Sequence, residues 1–498
     1  MGYEKTIVRS LSRVEARKLG LALLVGCCLV VVTYFISMSD TAADQQPPVY
    51  YKVRDNGEGK ITLPKQEEDK VANDESQNKK PAAVAHTSIK EEITESRKPE
   101  ETIHPRIREE AARIEKMKPP AAPVCDLSNF RTEFCDMTGD ARVRGGKPSS
   151  VMFASARHQN AEWQIVPYVR KHMENIEKVA VKVTNDPESL PRCTAKNSVP
   201  AIVFALGGFT GNYYHDYTDV LLPLFLTARQ FHGEVQFLIT NIQVWWLLKY
   251  QPIIKALTRY EPVDLDRSGD QVFCHPHVMV GLRFHNDLVI EPPRAPNGYS
   301  MLDFTAFLRA TYGLQRDRAV SLREQPARRP RLLLVARNGT RRFANVPEIV
   351  RVGEELGFEV VRADAKFGNV SGFAGVVNSC DVIMGVHGAG LTNFVFMPRN
   401  AVLIQIVPCC ELQGMAAHTF RQPSTDAGLH YLEYNIAVEE STLLEIYPRD
   451  HPVFTDPQSL HRKGFYEMGK VYLGQQNVRL DLNRFRPFLL KAMDLLRQ

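Results

Sequence analysis

The chain has 498 residues, of which 44% are hydrophobic and 24% charged, with a formal net charge of +5. That length predicts two or three domains, and the composition is that of a globular protein rather than a disordered one. So mild a positive charge argues against a nucleic-acid binder held by phosphate contacts.

Residues 1–18 carry Arg9, Arg13, Arg17 and Lys18 and read as a cytosolic tail. Residues 19–38 (LGLALLVGCCLVVVTYFISM) are uncharged throughout, and a helix of ~20 such residues crosses a bilayer core. Asp40 and Asp44 follow. Positive charge stays cytoplasmic, so this segment is expected to be a signal-anchor with the rest of the chain in a lumen. A cleaved signal peptide has an apolar stretch of only ~7–15 residues. Residues 39–122 are rich in Lys, Glu, Pro, Ala and Gln and poor in aromatics. Such a stretch cannot bury enough surface to offset its ordering entropy, so a flexible stem is expected. Beyond the anchor lie seven cysteines: Cys125, Cys135, Cys193, Cys274, Cys380, Cys409 and Cys410. In an oxidising lumen some should pair, and an odd number leaves at least one free. No Cys-x-x-Cys spacing occurs, so no zinc site is expected.

Residues 123–325 read as an N-terminal α/β domain. An apolar strand at 199–206 runs into Gly207-Gly208. A helix from about 219 to 231, a strand at 234–240, an aromatic helix over 245–260 and a strand at 277–282 follow. Between the first strand and its helix stands GNYYHDYTD (211–219). Pro223 is expected to keep the helix from starting much before Thr218, leaving the earlier residues as a loop. His215 and Asp219, four apart, share a face on a helical turn. Either is a candidate general base. The plainer reading is that Asp219 only caps a helix and His215 is structural. Tyr213 and Tyr214 are candidate acceptor-side residues. Trp245 and Trp246, in the apolar pattern VWWLLKY, read as core. Asp264-Leu265-Asp266 has the form that holds a divalent cation on a nucleotide-sugar, but no clear apolar strand precedes it.

After a basic, proline-broken linker at 315–331, residues 326–498 read as a second domain. Strand, helix, strand, helix, strand, glycine turn and strand fall at 331–336, 346–356, 358–362, 370–378, 381–386, 387–393 and 402–407, with a closing helix at 480–496. Continuous apolar strands alternating with helices predict a parallel sheet covered on both faces. Asn338 and Asn369 stand in N-x-[ST] sequons. The turn His387-Gly388-Ala389-Gly390-Leu391-Thr392-Asn393 falls at a strand's carboxyl end, where glycines let backbone N–H groups approach an anion. It is not a dinucleotide fingerprint, because Asn393 stands where the last glycine would be. Arg337, Arg341 and Arg342 follow the first strand of the same sheet. Arginine grips phosphate with paired donors, so the anion expected is a diphosphate.

The stretches GGFTGNYYHDYTDVLLPLF (207–225), LLLVARNGTRRFANVPEIV (332–350) and GVHGAGLTNFVFMPRNAVLIQI (385–406) resemble family 61 of the glycosyltransferases. More narrowly they resemble its grass branch, whose members decorate xylan. The resemblance implies a GT-B fold of two Rossmann-like domains facing a cleft, a single-pass type II Golgi location and inversion without an essential metal or other cofactor. It assigns UDP-sugar binding to Arg337, His387, Gly388, Ala389, Gly390, Leu391, Thr392 and Asn393, to which Arg341 is added from its place at the same sheet edge. In the inverting mechanism it implies, the base is put first at Asp219, with His215 the alternative. The implied partners are a UDP-pentose, a xylan acceptor, the Golgi membrane and other xylan-synthesis enzymes. The activity it implies first is xylan β-1,2-xylosyl transfer from UDP-xylose. The alternatives are α-1,3-arabinofuranosyl transfer, N-glycan β-1,2-xylosyl transfer and a tethered, non-catalytic polysaccharide-binding protein.

Overall fold

The computed structural model describes residues 124–364 and 368–498. The expected tail, signal-anchor and stem lie outside the described residues. Among the described residues no helix is long and apolar enough to cross a membrane.

Ten strands form the N-terminal sheet: β1 (Cys125–Asp126), β2 (Phe134–Arg144), β3 (Ser150–Ala154), β4 (Ala161–Ile165), β5 (Val179–Thr184), β6 (Ala195–Lys196), β7 (Ala201–Ala205), β8 (Gln236–Thr240), β9 (Val263–Asp264) and β10 (Val272–Val280). Their order is β4-β5-β3-β2-β10-β7-β8-β9, with β1 paired to β2 and β6 to β10. The half from β10 to β9 is parallel. Every residue of β7 (AIVFA) and β8 (QFLIT) is buried, as a strand covered on both faces requires. The other half is mixed, because β2 runs antiparallel to both β10 and β3. The domain is thus mixed α/β, with an antiparallel half that the expectation from sequence did not contain.

The C-terminal sheet comprises β11 (Arg331–Ala336), β12 (Glu359–Asp364), β13 (Val382–Val386), β14 (Val402–Val407) and β15 (His430–Asn435). It is wholly parallel, in the order β12-β11-β13-β14-β15. The chain winds outward in one direction through β12 and in the other through β14. Neighbouring connections thus diverge at the carboxyl ends of β11 and β13, and a crevice opens there.

Cystines join Cys125 to Cys135, Cys193 to Cys274 and Cys409 to Cys410. Cys380 is the free, buried one. Burial pushes its thiol up to about 11, which keeps it unreactive.

Helix formation around GNYYHDYTD differs from expectation. Asn212 caps at the front, its Oδ1 accepting the Tyr214 N–H at 3.1 Å, so the helix begins at Tyr213. Asp216–Leu221 then forms a π-turn, in which the Leu222 N–H reaches back five residues to Tyr217 O. A widened turn relieves the clash and the missing bond that a proline brings, and Pro223 follows within the next segment, Leu222–Ala228.

Candidate active site

Arg337 leaves the carboxyl end of β11, and His387 and Gly388 leave that of β13, so sheet order brings them to the crevice. Gly388 has φ +144° and leads into a 3₁₀ helix, Ala389–Phe396. A methyl group added to Gly388 would lie 2.6 Å from Arg341 Nη1 and 3.1 Å from Arg337 Nη1. Two guanidiniums therefore close over one bare backbone position. Arg341 Nη1 donates to His387 O at 2.9 Å, and Arg337 Nε donates to Thr340 O at 2.9 Å. Arg341 Nε is buried with no hydrogen-bond partner. Burial, and then the like charge of Arg337, pull Arg341 down to about 10. Burial also lowers Arg337, against the attraction of Asp364. Two partly desolvated cations that disfavour each other's charge are a ready receptor for an anion with two or more negative oxygens.

His387 sits beneath them. Burial first, then Arg341 and Arg337, hold it down at about 3, so it is neutral at any working pH. Gln405 Nε2, on β14, faces His387 Nδ1 at 2.8 Å, and Gln405 Oε1 accepts the Tyr431 hydroxyl at 3.0 Å. With that amide donating to Nδ1, the imidazole carries its proton on Nε2 and serves as a neutral donor.

On the N-terminal side Asp219 is completely buried. It accepts Arg170 Nε at 2.7 Å, Arg170 Nη2 at 2.8 Å, the Tyr168 hydroxyl at 2.9 Å and His215 Nδ1 at 3.0 Å. Tyr168 comes this close only because residue 208 is glycine: with φ +66°, an added methyl would meet the tyrosine ring at 2.5 Å. Complete burial, with three donors on Oδ2 and one on Oδ1, leaves Asp219 no exposed face toward a substrate. The His215 side chain keeps 21% of its surface exposed. In the tautomer whose Nδ1–H donates to Asp219 Oδ2, Nε2 carries the lone pair, the arrangement of a carboxylate–histidine pair that can take up a proton. Asp216 is likewise buried but differently employed. It accepts Trp246 Nε1 at 2.8 Å, the Tyr250 hydroxyl at 2.8 Å, Lys249 Nζ at 3.0 Å and the Gly211 N–H at 2.8 Å.

The two sides touch. The Tyr213 hydroxyl donates to Asn393 Oδ1 at 2.8 Å. The Tyr214 ring packs on His215 (5.4 Å between centroids) and on Phe420 (6.1 Å), and Phe420 packs on His387 (5.7 Å).

This layout can be set beside known proteins. Residues 213–404, which hold His215, Asp219, Arg337, Arg341, His387 and Gly388, match the family model described as Glycosyltransferase 61. A beta-1,2-xylosyltransferase of Oryza sativa subsp. japonica is 43% identical over 406 residues, covering 77% of this chain and 87% of that protein. The chain belongs to the Glycosyltransferase 61 family. An alpha-1,3-arabinosyltransferase of the same organism is 46% identical over 378 residues, 75% of this chain. The match spans 65% of that relative's length. A xylan glycosyltransferase of Arabidopsis thaliana is 34% identical over 392 residues, covering 74% of this chain and 78% of that protein.

Within the family-matched span, the sequence candidates separate by position. Arg337, Arg341, His387 and Gly388 are brought together, with Ala389 and Gly390 opening the 3₁₀ helix beside them. Leu391, Thr392 and Asn393 are wholly buried behind it. Asn393 is occupied by Tyr213 and by its own bond to Gly390 O, so it joins the two sides of the site rather than facing a ligand. Tyr213 is only 3% exposed, which places it in the core rather than at the acceptor surface. Arg342 is exposed and lines, with Asn338, Arg362 and Arg479, a cavity of ≈ 550 Å³ next to Arg337. Asn338 donates to Asp364 there, and Asn369 caps the helix Val370–Asn378. Asp266 accepts the Asn241 N–H and pairs with Lys147, while Asp264 accepts the Arg267 N–H. The D-x-D carboxylates are thus engaged in holding local loops.

Sequence reasoning missed Tyr168 and Arg170, which clamp Asp219, and Gln405 and Phe420, which set His387. Gln405 falls within the stretch 385–406 but as a lone polar residue in an apolar strand, the other three stand in no motif, and Arg170 lies 49 residues before its partner. It also missed Asp364, at the carboxyl end of β12. Two of the tryptophan assignments divide: Trp246 is fully buried, but Trp245 is 49% exposed.

Proposed function

We propose that this protein is an inverting glycosyltransferase that moves a pentose from a UDP-pentose to xylosyl residues of xylan. The observation that carries the reading is the pair of half-desolvated guanidiniums closing over Gly388 at the sheet's switch point. The diphosphate lies against Arg337, Arg341 and the backbone N–H groups that open the 3₁₀ helix, with His387 Nε2–H as a further donor. The adjoining ≈ 550 Å³ cavity has room for the nucleoside. His215 Nε2 takes the proton from an acceptor hydroxyl. The resulting oxygen attacks the anomeric carbon from the face opposite UDP, and the C–O bond to the diphosphate breaks. Charge arriving on the leaving group is spread over the arginines and N–H groups, the task a divalent cation performs in other enzymes. Asp219 holds His215 in the right tautomer. This reverses the preference drawn from sequence, which put Asp219 first, because a wholly buried carboxylate clamped by Arg170, Tyr168 and His215 cannot reach an acceptor hydroxyl.

The two sheets then correspond to the facing halves of a GT-B enzyme, and residues 19–38 to a Golgi signal-anchor. UDP-α-xylose giving a β-xyloside and UDP-β-arabinofuranose giving an α-arabinofuranoside both require inversion, so one machine serves either donor. Relatives named for xylosyl and for arabinosyl transfer support a pentose, and the relative named for xylan supports the acceptor. The test is His215→Gln: UDP should bind within twofold of wild type while transfer falls at least 100-fold. Turnover near wild type in that variant would remove His215 as the base.

A further inference from the structure

The carboxyl ends of β7 and β8 are adjacent and parallel, with Ala205 opposite Thr240. The loop after β7 carries Phe209, and the short helix after β8, Val244–Lys249, carries Trp245. Phe209 is 45% exposed, Trp245 49%, Val244 60% and Leu248 66%, although three of the four stand in an otherwise apolar helix with a buried neighbour, Trp246. Contiguous exposed apolar surface of this kind marks a binding face. Its aromatic members are held in place. Buried Asp216 accepts both the Trp246 indole N–H and the Gly211 N–H, tying the helix to the loop. The Trp245 ring consequently lies over Gly211, 3.4 Å from where a methyl on that glycine would stand. Phe209 in turn packs on His215, with ring centroids 4.7 Å apart. Exposed aromatic side chains thus lie outward from the histidine on neighbouring strand ends, with the Arg170 guanidinium 5.7 Å from the Phe209 ring centre. Beside them stand two part-exposed polar groups, the Gln243 amide, whose Oε1 accepts the Trp245 indole N–H at 3.2 Å, and the Thr210 hydroxyl, which donates to Gly207 O at 2.6 Å.

We propose that Trp245 and Phe209, with Val244 and Leu248, form a platform on which sugar rings of the xylan backbone stack beyond the residue that receives the pentose. The inference rests on the reading of His215 as the base and of xylan as the acceptor. A pyranose presents an apolar C–H face and a hydroxyl rim, which fits an aromatic surface bordered by amide and hydroxyl groups. The single cation on this helix, Lys249, is turned inward to Asp216, so the face suits a neutral polymer rather than an acidic one.

The experiment uses the full-length protein with xylotriose and xylohexaose. Wild type should show a lower KM for the hexamer. In Trp245→Ala the hexamer's KM should rise about tenfold, the trimer's by less than twofold, and UDP affinity should be unchanged. Trp245→Phe should recover most of the loss. Equal increases for both acceptors, or a wild-type KM independent of length, would overturn the platform. Calorimetric titration of xylohexaose without donor separates this proposal from the reaction it rests on. Wild-type binding that Trp245→Ala loses supports the platform even where no transfer is seen, and no binding to wild type overturns it.

Discussion

Substituting Gly388 by alanine perturbs the anion site without removing a charge. The new methyl would stand 2.6 Å from Arg341 Nη1 and 3.1 Å from Arg337 Nη1, at a φ of +144° that side-chain-bearing residues rarely adopt. Backbone strain of this kind costs roughly 1–3 kcal/mol of stability. Relief requires Arg341 to leave His387 O, its 2.9 Å acceptor, and so to leave its place over the turn. A charge-assisted hydrogen bond to the ligand is worth about 1.5–3 kcal/mol, so displacing one guanidinium should weaken UDP binding roughly 10- to 150-fold. Isothermal titration of UDP into wild type and Gly388→Ala reads this directly, with a thermal melt confirming that the variant is folded. A folded Gly388→Ala protein that binds UDP within twofold of wild type would refute the placement of the diphosphate.

Asp219→Asn keeps the shape but takes from the Arg170 guanidinium, only 16% exposed, its closer counter-charge and leaves it Asp287 at 3.6 Å. Breaking a buried pair costs about 3–5 kcal/mol where no partner remains, and less with Asp287 in place, measurable by urea denaturation, and transfer should be lost while UDP still binds; near-normal turnover would show that His215 needs no carboxylate behind it. The pH dependence of stability follows from the histidines. Burial lowers His275, His285 and His387, the last to about 3, so the folded protein binds fewer protons than the unfolded chain below about 6.5. Stability should be full above that pH and decline as pH falls, by up to about 1.4 kcal/mol per pH unit from His387 down to about 3, with His275 and His285 adding to the decline. Melting temperatures at pH 7.5 and 5.5 test this, and a melting temperature that rises on acidification would contradict it.

The C-terminal sheet was legible because β13 (VIMGV) and β14 (VLIQIV) are buried along their whole length and read as unbroken apolar runs. β15 (HYLEYN) was not, since its residues lie half-buried at the sheet's edge and are polar enough to pass for a loop. β2 (FCDMTGDARVR) was hidden the same way: it alternates around a Gly-Asp pair and buries only one face. The glycine turn and Arg337 could be placed at one sheet edge because each directly follows an apolar strand of the same parallel sheet. Choosing between Asp219 and His215 needed the fold. Which of two residues is buried depends on Tyr168 and Arg170, and no spacing rule connects these to the motif at 211–219. The early start of the helix at Tyr213 was equally out of reach, because a π-turn has no sequence signature beyond the proline it accommodates.

The most direct measurement is product analysis for the full-length protein with xylo-oligosaccharide and, in parallel, UDP-xylose, UDP-arabinofuranose, UDP-arabinopyranose and UDP-GlcNAc, with and without EDTA. The account predicts a single added pentose in the inverted configuration, β for xylose or α for arabinofuranose, formed at a similar rate in EDTA. Products of retained configuration, strict dependence on a divalent cation, or no transfer from any donor by protein that binds UDP would contradict it.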